Sequence, residues 1–294
     1  MSRSAKNAAP SALVLNLPYS GGSVPSAVGK HLGLSPEDWR LEHWRLTDPY
    51  LVEIAREASI YEGVSGPAER PLMFYPYSPL VADPWGLWAA ELAGKETGEG
   101  PAIPPRTTAG RPIEWNEHDR ELIFERTVRP FFEQIETAAR ELLADRPLVL
   151  LITLRSYSSQ PQAFERSRLY PRPRVCVSTR PGPTPKGLAD LIGGTFRAFR
   201  WWPELGWPHE RGACLPPGLA GHPRMRALGL SLDRSLYMDE RSGRLLPAAE
   251  GVARVLRTLF NLLDQELSRV AQRRLDRALK PRERESSIIK AGRL

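Results

Sequence analysis

Two apolar segments, each ending in a polar turn, constrain the fold of this 294-residue chain most strongly. They are LVLNLPYSGGSVP at residues 13–25 and LVLLITLRSYSSQP at residues 148–161. A strand that is almost continuously apolar, as over 148–154, is typical of a parallel sheet that is covered on both faces. Ligands of such sheets bind beyond the carboxyl ends of the strands. Tyr19 and Arg155 stand just past the two strand ends, so we expect both to point into a cleft.

Helical and strand patterns alternate along the rest of the chain. An amphipathic pattern over 116–144 runs directly into the second apolar segment. We predict further strands at 71–77, 80–82, 174–178, 227–232 and 236–238, and further helices at 35–41, after Asp48-Pro49, at 184–199 and at 248–278. This order favours a single α/β domain with a mixed, mostly parallel sheet flanked by helices. The Gly- and Pro-rich stretch 92–111 is predicted to be a surface loop or lid.

Composition excludes several classes of protein. Apolar residues make up 41% of the chain, and no apolar run approaches the roughly 20 residues that span a bilayer, so we expect no membrane association. The first eleven residues, MSRSAKNAAPS, lack the apolar segment of a signal peptide, which favours a cytoplasmic protein. Cys176 and Cys214 are too few for a disulfide framework and form no CxxC pair, so both are interpreted as buried or incidental thiols.

Positive charge is concentrated at the end of the chain. Of the formal net charge of +7, much comes from residues 270–294, which hold eight Lys or Arg and three acids. We therefore divide the chain into a flexible N-terminus (1–11), an α/β domain (12–270) and a basic C-terminal tail (271–294). The tail is interpreted either as a solvated helix end with a loose terminus or as a segment that contacts nucleic acid. Nucleic-acid binding is the less favoured of the two, because no aromatic residues alternate with these arginines.

A search for catalytic motifs finds little. The five histidines form no HxxH or HExxH spacing, and no GxSxG turn is present. His43 with Glu42 and Asp48 has the right residue types for a metal site, but solvated helix starts are the simpler interpretation. The same choice applies to His118 and its acidic neighbours. His209, in WPHERGAC, is interpreted as a surface-loop histidine, with a role in a site as the alternative.

The chain resembles the N-formylglutamate amidohydrolase family. The resemblance covers about residues 12–265 and is carried, in order, by the blocks LVLNLPYSGGSVP, TDPYLVEIA, SPLVADPWG, GRPIEW, VRPFFEQIE, LLITLRSYS, VCVSTRPG and LGLSLDRSLYMDE. It implies the α/β fold of zinc-dependent exopeptidases. It also implies a protein-bound zinc that hydrolyses an amide bond next to a carboxylate.

The sequence departs from the family at the positions that carry this chemistry. The family's first block typically reads PHSG and its central strand ends in DLHS. This chain has Tyr19 at the first histidine, and Thr153 and Arg155 at the aspartate and the second histidine. Ser231 stands at a family glutamate, and the helix motif PYH becomes Pro130, Phe131 and Phe132. Residues that match the family include Asp83, Arg234, Tyr237 and Met238.

These departures predict a site without its metal. Zinc needs Cys, His or carboxylate ligands, whereas an arginine keeps its charge and has no acceptor atom. We therefore expect no zinc, no other cofactor and no catalytic residues, and we interpret the chain as a non-catalytic member of the family. The expected ligand-binding residues are Tyr19, Ser20, Asp83, Arg155, Ser156 and Arg234. An alternative role for Arg155 is an ion pair with Asp83 or Asp48 in the space where the family binds zinc.

The expected ligand is a peptide, another carboxylate or a protein partner. Arg155 and Arg234 are the candidate carboxylate donors, with Arg166 and Arg168 as weaker candidates. The Trp-rich stretches PLMFYPYSPLVADPWGLW and FRWWPELGWP contain residue types that are enriched in protein interfaces, although core and lid packing explain them equally well. An active amidohydrolase or peptidase that acts on N-acyl amino acids through relocated metal ligands is the alternative function, and nucleic-acid binding through the tail is another.

Overall fold

The structure is a computed structural model that describes residues 11–63, 66–93, 102–165, 167–179, 184, 186–209 and 213–291. Its strands are β1 (Leu13–Leu17), β2 (Ile60–Gly63), β3 (Gly66–Glu69), β4 (Leu72–Phe74), β5 (Val149–Tyr157), β6 (Val175–Ser178), β7 (Pro203–Leu205), β8 (Met225–Asp233), β9 (Met238–Asp239) and β10 (Arg244–Leu245). Its helices are α1 (Ser26–Leu32), α2 (Pro36–Leu46), α3 (Leu51–Ser59), α4 (Leu87–Ala93), α5 (Glu117–Ile123), α6 (Arg129–Asp145), α7 (Lys186–Ala198) and α8 (Ala249–Ala291).

The main sheet of the described residues has six strands in the order β4-β1-β5-β8-β6-β7. Its pairs are parallel except for β6 with β8, which is antiparallel. Each of the nine residues of β5 is buried, as expected for a central strand that is covered on both faces. The predicted single α/β domain with a mostly parallel sheet and flanking helices is confirmed.

Two apolar layers cover the sheet because successive side chains of a strand point to opposite faces. Leu13 and Leu15 of β1 pack in one layer with residues of α3, α7 and α8. Val14 of β1 lies in the other layer, which includes Phe131 and Ile135 of α6. The same alternation holds along β5, so the central strands are shared by both layers.

Several helix boundaries differ from the predicted ones for local reasons. The helix predicted over 116–144 is divided into α5, a π-helical turn over Phe124–Val128, and α6. Pro130 is the second residue of α6 and has no N–H to donate to the preceding turn, so the hydrogen-bond pattern changes there. The helix expected to end at Leu41 continues to Leu46, and α8 continues past 278 to Ala291.

The strand predictions were less accurate at the edges of the sheet. The strand predicted over 71–77 contains only the three residues of β4, and no strand forms at 80–82. Edge strand β7 and the antiparallel hairpin of β2 and β3 had no prediction. The strand predicted over 236–238 is a 3-10 turn, Arg234–Leu236, followed after Tyr237 by the two residues of β9.

The predicted terminal segments and lid are only partly described. Residues 1–10 and 292–294 lie outside the described residues, and so does 94–101 of the predicted lid. Ser11 is buried and donates a hydrogen bond to Asp264 of α8 at 2.9 Å. The later part of the lid packs against α2, since the backbone N–H of Thr108 donates to Glu42 at 2.9 Å. Within the described residues, no helix is both long enough and apolar enough to cross a membrane.

Candidate functional site

The predicted cleft residues meet at the carboxyl ends of β1, β5 and β8. Arg155 near the end of β5 pairs in register with Ser231 of β8, and Tyr19 follows β1, the other neighbour of β5. Both Tyr19 and Arg155 are buried. The centre of the Arg155 guanidinium lies 5.6 Å from the centroid of the Tyr19 ring. The parallel arrangement of β1, β5 and β8 therefore brings together residues that are far apart in the chain.

Tyr19 and Asp83 form a buried hydrogen-bonded pair. The Tyr19 hydroxyl donates to Oδ1 of Asp83 at 2.8 Å. The Asp83 carboxylate also accepts four backbone N–H groups at the start of α4, from Trp85, Gly86, Trp88 and Ala89. Burial raises the pKa of Asp83 in spite of these donors, and it raises the pKa of Tyr19 well above its usual value. Asp83 therefore orients α4 and Tyr19, and both of its oxygens have partners inside the protein.

Arg155 has a polar atom without a partner. Its side chain is buried, with 1% of the residue exposed, and Nε donates to Oγ of Ser231 at 3.2 Å. Nη2 is buried and has no hydrogen-bond partner among the described residues. Arg155 forms no ion pair with Asp83 or Asp48, so that alternative is wrong, although its charge lies close enough to Asp48 to favour the ionised form of that carboxyl. The result is a buried positive charge without a hydrogen-bonded carboxylate in the described part of the chain.

Ser156, Asp48 and Arg234 form a second network beside Arg155. Oδ1 of Asp48 accepts hydrogen bonds from the backbone N–H of Ser156 at 2.8 Å and from its hydroxyl at 2.7 Å. Nε of Arg234 donates to the Ser156 hydroxyl at 3.1 Å, and its two Nη atoms donate to the carbonyls of Trp44 and Thr47. Arg234 therefore uses its donors on Ser156 and on the end of α2. Of the two arginines predicted to bind a carboxylate, only Arg155 keeps a donor atom without a partner in the described chain.

Burial also changes the acidity of Asp48. Its pKa is raised to about 6, because loss of solvent outweighs the nearby Arg234 charge and the hydrogen bonds from Ser156. Oδ2 of Asp48 is buried without a hydrogen-bond partner among the described residues. Asp48 thus holds the carboxyl end of β5 in place through Ser156.

Of the remaining predicted residues, Ser20 follows Tyr19 directly in the chain, and Arg168 is bound within its own loop. The hydroxyl of Ser20 is buried and has no partner in the described part of the chain. Gly21 follows it where the chain touches another loop: a Cβ there would lie 2.0 Å from the carbonyl carbon of Pro76. Arg168 donates to the carbonyls of its own loop, at Gln162 and Ala163, and Arg166 lies outside the described residues.

His209 is the site residue that the sequence did not favour. The simpler interpretation placed it on a surface loop, but its ring packs edge-on against Trp88 and Tyr157, with centroids 5.6 Å apart in each case. Nε2 is buried and has no partner among the described residues. Burial, followed by the charge of Arg155, lowers the pKa of His209 well below its usual value, so the ring is neutral. The aromatic residues around it come from β5 and α4, which the local sequence WPHERGAC does not reveal.

The residues at this site do not fit a zinc ion. The guanidinium of Arg155 and the phenol of Tyr19 fill the space at the strand ends. Both oxygens of the nearby Asp83 carboxylate already accept hydrogen bonds from the protein. No group of three or more His, Cys, Asp or Glu side chains in the described ranges is arranged to hold a metal. A cation next to the permanent charge of Arg155 would be repelled.

Comparisons with known proteins agree with this fold. A model of the family described as N-formylglutamate amidohydrolase matches residues 11–238 of the chain. The chain belongs to the N-formylglutamate amidohydrolase family. No curated protein gives a significant match.

Two solved structures share the fold of this family member. The crystal structure of N-formylglutamate amidohydrolase from Ralstonia eutropha is similar with a TM-score of 0.67 at 20% identity, over 88% of this chain and 95% of that one. A crystal structure of a gene product from Agrobacterium tumefaciens has a TM-score of 0.61 at 18% identity, over 88% of this chain and 93% of that one. At these identities the similarity establishes the fold only.

Proposed function

We propose that this member of the N-formylglutamate amidohydrolase family is a non-catalytic protein that binds a carboxylate-bearing ligand, such as an N-acyl amino acid or a peptide. The observation that carries the proposal is the buried Nη2 of Arg155, which has no partner among the described residues. A buried charge is costly unless a counter-charge and hydrogen bonds compensate it. A ligand carboxylate supplies both at once, and guanidinium groups bind carboxylates in a forked geometry.

The surroundings of Arg155 support such a ligand. Ser20 and His209 each contribute a buried polar atom without a partner in the described residues, which gives a neutral ligand group two further hydrogen-bonding positions. Because His209 is neutral, one ring nitrogen accepts and the other donates. Tyr19, Asp83, Ser156 and Arg234 are assigned supporting roles, since their bonds inside the protein hold the ends of β1 and β5 in place.

Absence of metal hydrolysis is the other half of the proposal. Amide hydrolysis by a zinc enzyme requires three protein ligands and an open position for water. A phenol and a guanidinium in place of those ligand types cannot hold a zinc ion, so no metal activates water at the strand ends. We also propose a cytoplasmic location, since a chain with two cysteines has too few for the disulfide framework of many small secreted proteins.

A protein partner is the second candidate ligand. Trp202 is 67% exposed and Leu205, at the end of edge strand β7, is 66% exposed. Large exposed apolar residues of this kind are enriched in interfaces. Substitution of Trp202 by Ser would remove a copurifying protein under this alternative, while leaving carboxylate binding at Arg155 intact.

The test measures binding, metal content and hydrolysis on the same full-length protein. N-formyl-L-glutamate and glutarate are titrated by calorimetry against the neutral glutaramide, with wild type, Arg155→Met and Arg155→Lys. Arg126→Met is the matched control, since Arg126 is exposed on the π-helical turn before α6. We expect the carboxylates to bind wild type, glutaramide to bind at least about tenfold more weakly, and Arg155→Met to lose the carboxylates.

The stability of the free Arg155→Met protein separates a binding role from a structural one. If Arg155 waits for an external anion, its replacement removes an uncompensated buried charge, and the free energy of unfolding stays equal or rises by about 1–4 kcal/mol. The proposal fails if stoichiometric zinc copurifies and N-formylglutamate is hydrolysed. It also fails if carboxylate affinity is the same in wild type and Arg155→Met.

A further inference from the structure

A second pocket lies outside the Arg155 cluster, between α7, α8 and the 3-10 turn after β8. Its volume is about 540 Å³, within the range of small-molecule sites. Its walls include Phe199, Trp201, Leu236 and Val255. It shares no lining residue with the cluster around Tyr19 and Arg155, so it is a separate site.

The pocket carries two positive charges that the described protein does not neutralise. Arg174 precedes β6, and Arg254 lies early in α8; both line the pocket and both are exposed. Neither side chain makes an ion pair or a hydrogen bond with another described residue. Glu250, one turn before Arg254 on α8, is exposed and forms no ion pair with it, and the buried Asp233 accepts from the backbone N–H of Ser235. The charge of the pocket is therefore complementary to an anion.

An aromatic platform is fixed beside these arginines. The ring of Trp201 stacks on Phe196 with an interplanar angle of 16° and a centroid distance of 6.0 Å. Phe196 is fully buried, and the N–H of Trp201 donates to its carbonyl at 2.9 Å, so the indole is held in place. Trp201 is partly buried and lines the pocket. The space beside Gly251 on the same pocket wall is open, since a Cβ there would contact nothing within 4 Å.

We propose that this pocket binds a small planar anion, that is, an aromatic ring that carries a phosphate or a carboxylate. The ring would stack on Trp201, and the anionic group would pair with Arg174 and Arg254. Stacking on an aromatic side chain is tolerant of ring type, whereas guanidinium groups select the anion by forked hydrogen bonds. The inference is independent of the function proposed for the Arg155 cluster.

Calorimetry on the full-length protein tests the pairing of ring and charge. The probes are AMP for the phosphate, indole-3-acetate for the carboxylate, adenosine and indole as the corresponding neutral rings, and inorganic phosphate and acetate as anions without a ring. We expect at least one ring-bearing anion to bind more tightly than its ring alone and its anion alone. The two ring-bearing probes also distinguish a phosphate ligand from a carboxylate ligand.

Variants locate the binding site. Arg254→Ala and Arg174→Ala are each expected to weaken the ring-bearing anion about tenfold or more, because each loses a charged hydrogen bond. Arg273→Ala, an exposed position later on α8, is the matched control and should bind like wild type. Both pocket variants change exposed side chains without partners, so their melting temperatures should equal that of wild type.

Three outcomes would overturn the proposal. Neither AMP nor indole-3-acetate binds at millimolar concentration; the anions without a ring bind as tightly as the ring-bearing probes; or both arginine variants bind like wild type. Arg155→Met should retain the binding. Loss of binding in that variant alone would assign the ligand to the strand-end cluster and remove it from this pocket.

Discussion

Asp48 shows how burial alone sets the behaviour of a single residue. The network that it forms with Ser156 and Arg234 favours the charged form, yet removal from solvent dominates, and the pKa rises to about 6. Because Asp48 is buried and Oδ2 has no hydrogen-bond partner in the described chain, little compensates the charged form for its loss of solvent, and the neutral carboxyl form is favoured. The folded state therefore binds a proton at Asp48 more tightly than the unfolded state does.

Replacing Asp48 by Asn should stabilise the protein at neutral pH. A raised acid pKa contributes stability that is complete below the unfolded pKa, near 4, and is lost as the pH rises through about 6. Asn mimics the neutral form and keeps an acceptor for Ser156. We expect equal unfolding free energies at pH 4, and an advantage for Asp48→Asn that grows to at most about 3 kcal/mol at pH 7.5. Urea unfolding at several pH values checks this.

A result of the opposite sign would identify Asp48 as a needed counter-charge. Asp145→Asn serves as the control, because Asp145 is an exposed acid at the end of α6. Its unfolding free energy should differ from wild type by no more than about 0.5 kcal/mol at each pH. If Asp48→Asn is less stable than wild type at pH 7.5, the Arg234 charge and the Ser156 hydrogen bonds outweigh burial, and the pKa of Asp48 is not raised.

At the level of elements, α8 is connected to the start of the sheet and to the β2–β3 hairpin through one carboxylate. Asp264 accepts hydrogen bonds from the Ser11 hydroxyl and from the N–H of Ala12 at 2.7 Å. It also pairs with Arg70 at 2.9 Å, whose side chain is 1% exposed and lies over the Tyr61 ring. Three elements that are distant in sequence thus depend on the same group.

Removal of this carboxylate should therefore be costly. Asp264→Ala leaves the buried Arg70 charge without its acid, and we expect a loss of about 3–5 kcal/mol in the free energy of unfolding. Glu141→Ala, at an exposed position of α6, should change it by less than about 0.5 kcal/mol. Chemical denaturation measures both. In the double variant with Arg70→Met the loss should be smaller than the sum of the single losses; additive losses would argue against the pairing.

The whole molecule keeps the fold of an amidohydrolase family, but the residues at the carboxyl ends of its central strands do not suit a metal ion. Most residues of the apolar layers on both faces of the sheet lie away from the strand ends, with Tyr19 as an exception, so the layers support the fold whatever occupies the strand ends. Tyr19 and Arg155 are fixed there by hydrogen bonds to Asp83 and Ser231. Stability should then be independent of divalent ions.

Chelation tests this independence. A ligand that binds only the folded state raises the melting temperature with its concentration. We expect the melting temperature to be the same with EDTA, without additions, and with excess zinc. A lower melting temperature after EDTA treatment, restored by zinc, would contradict the assignment. The triple variant Tyr19→His, Arg155→His, Ser231→Glu is the positive comparison, and zinc should stabilise it if those positions form the ancestral seat.

The position of Tyr19 and Arg155 at neighbouring strand ends could be predicted from the sequence because of a general property of parallel sheets. Their strands are recognisable from apolar runs, and the carboxyl ends of parallel strands lie at one edge. The partners of these residues could not be read from the sequence. Asp83 was considered for Arg155, yet it bonds Tyr19, and His209 was interpreted as a surface residue.

By itself, the sequence determined the alternation of strands and helices, the buried central strand and the family, because periodicity and motif order are local properties of the chain. Only the tertiary structure decided which polar atoms lack partners. Arg155 bonds Ser231, 76 residues away, and Asp48 bonds Ser156, 108 residues away, whereas Nε2 of His209 has no partner among the described residues. Burial and pairing are properties of the packed molecule, and they set the charge state on which the proposed function depends.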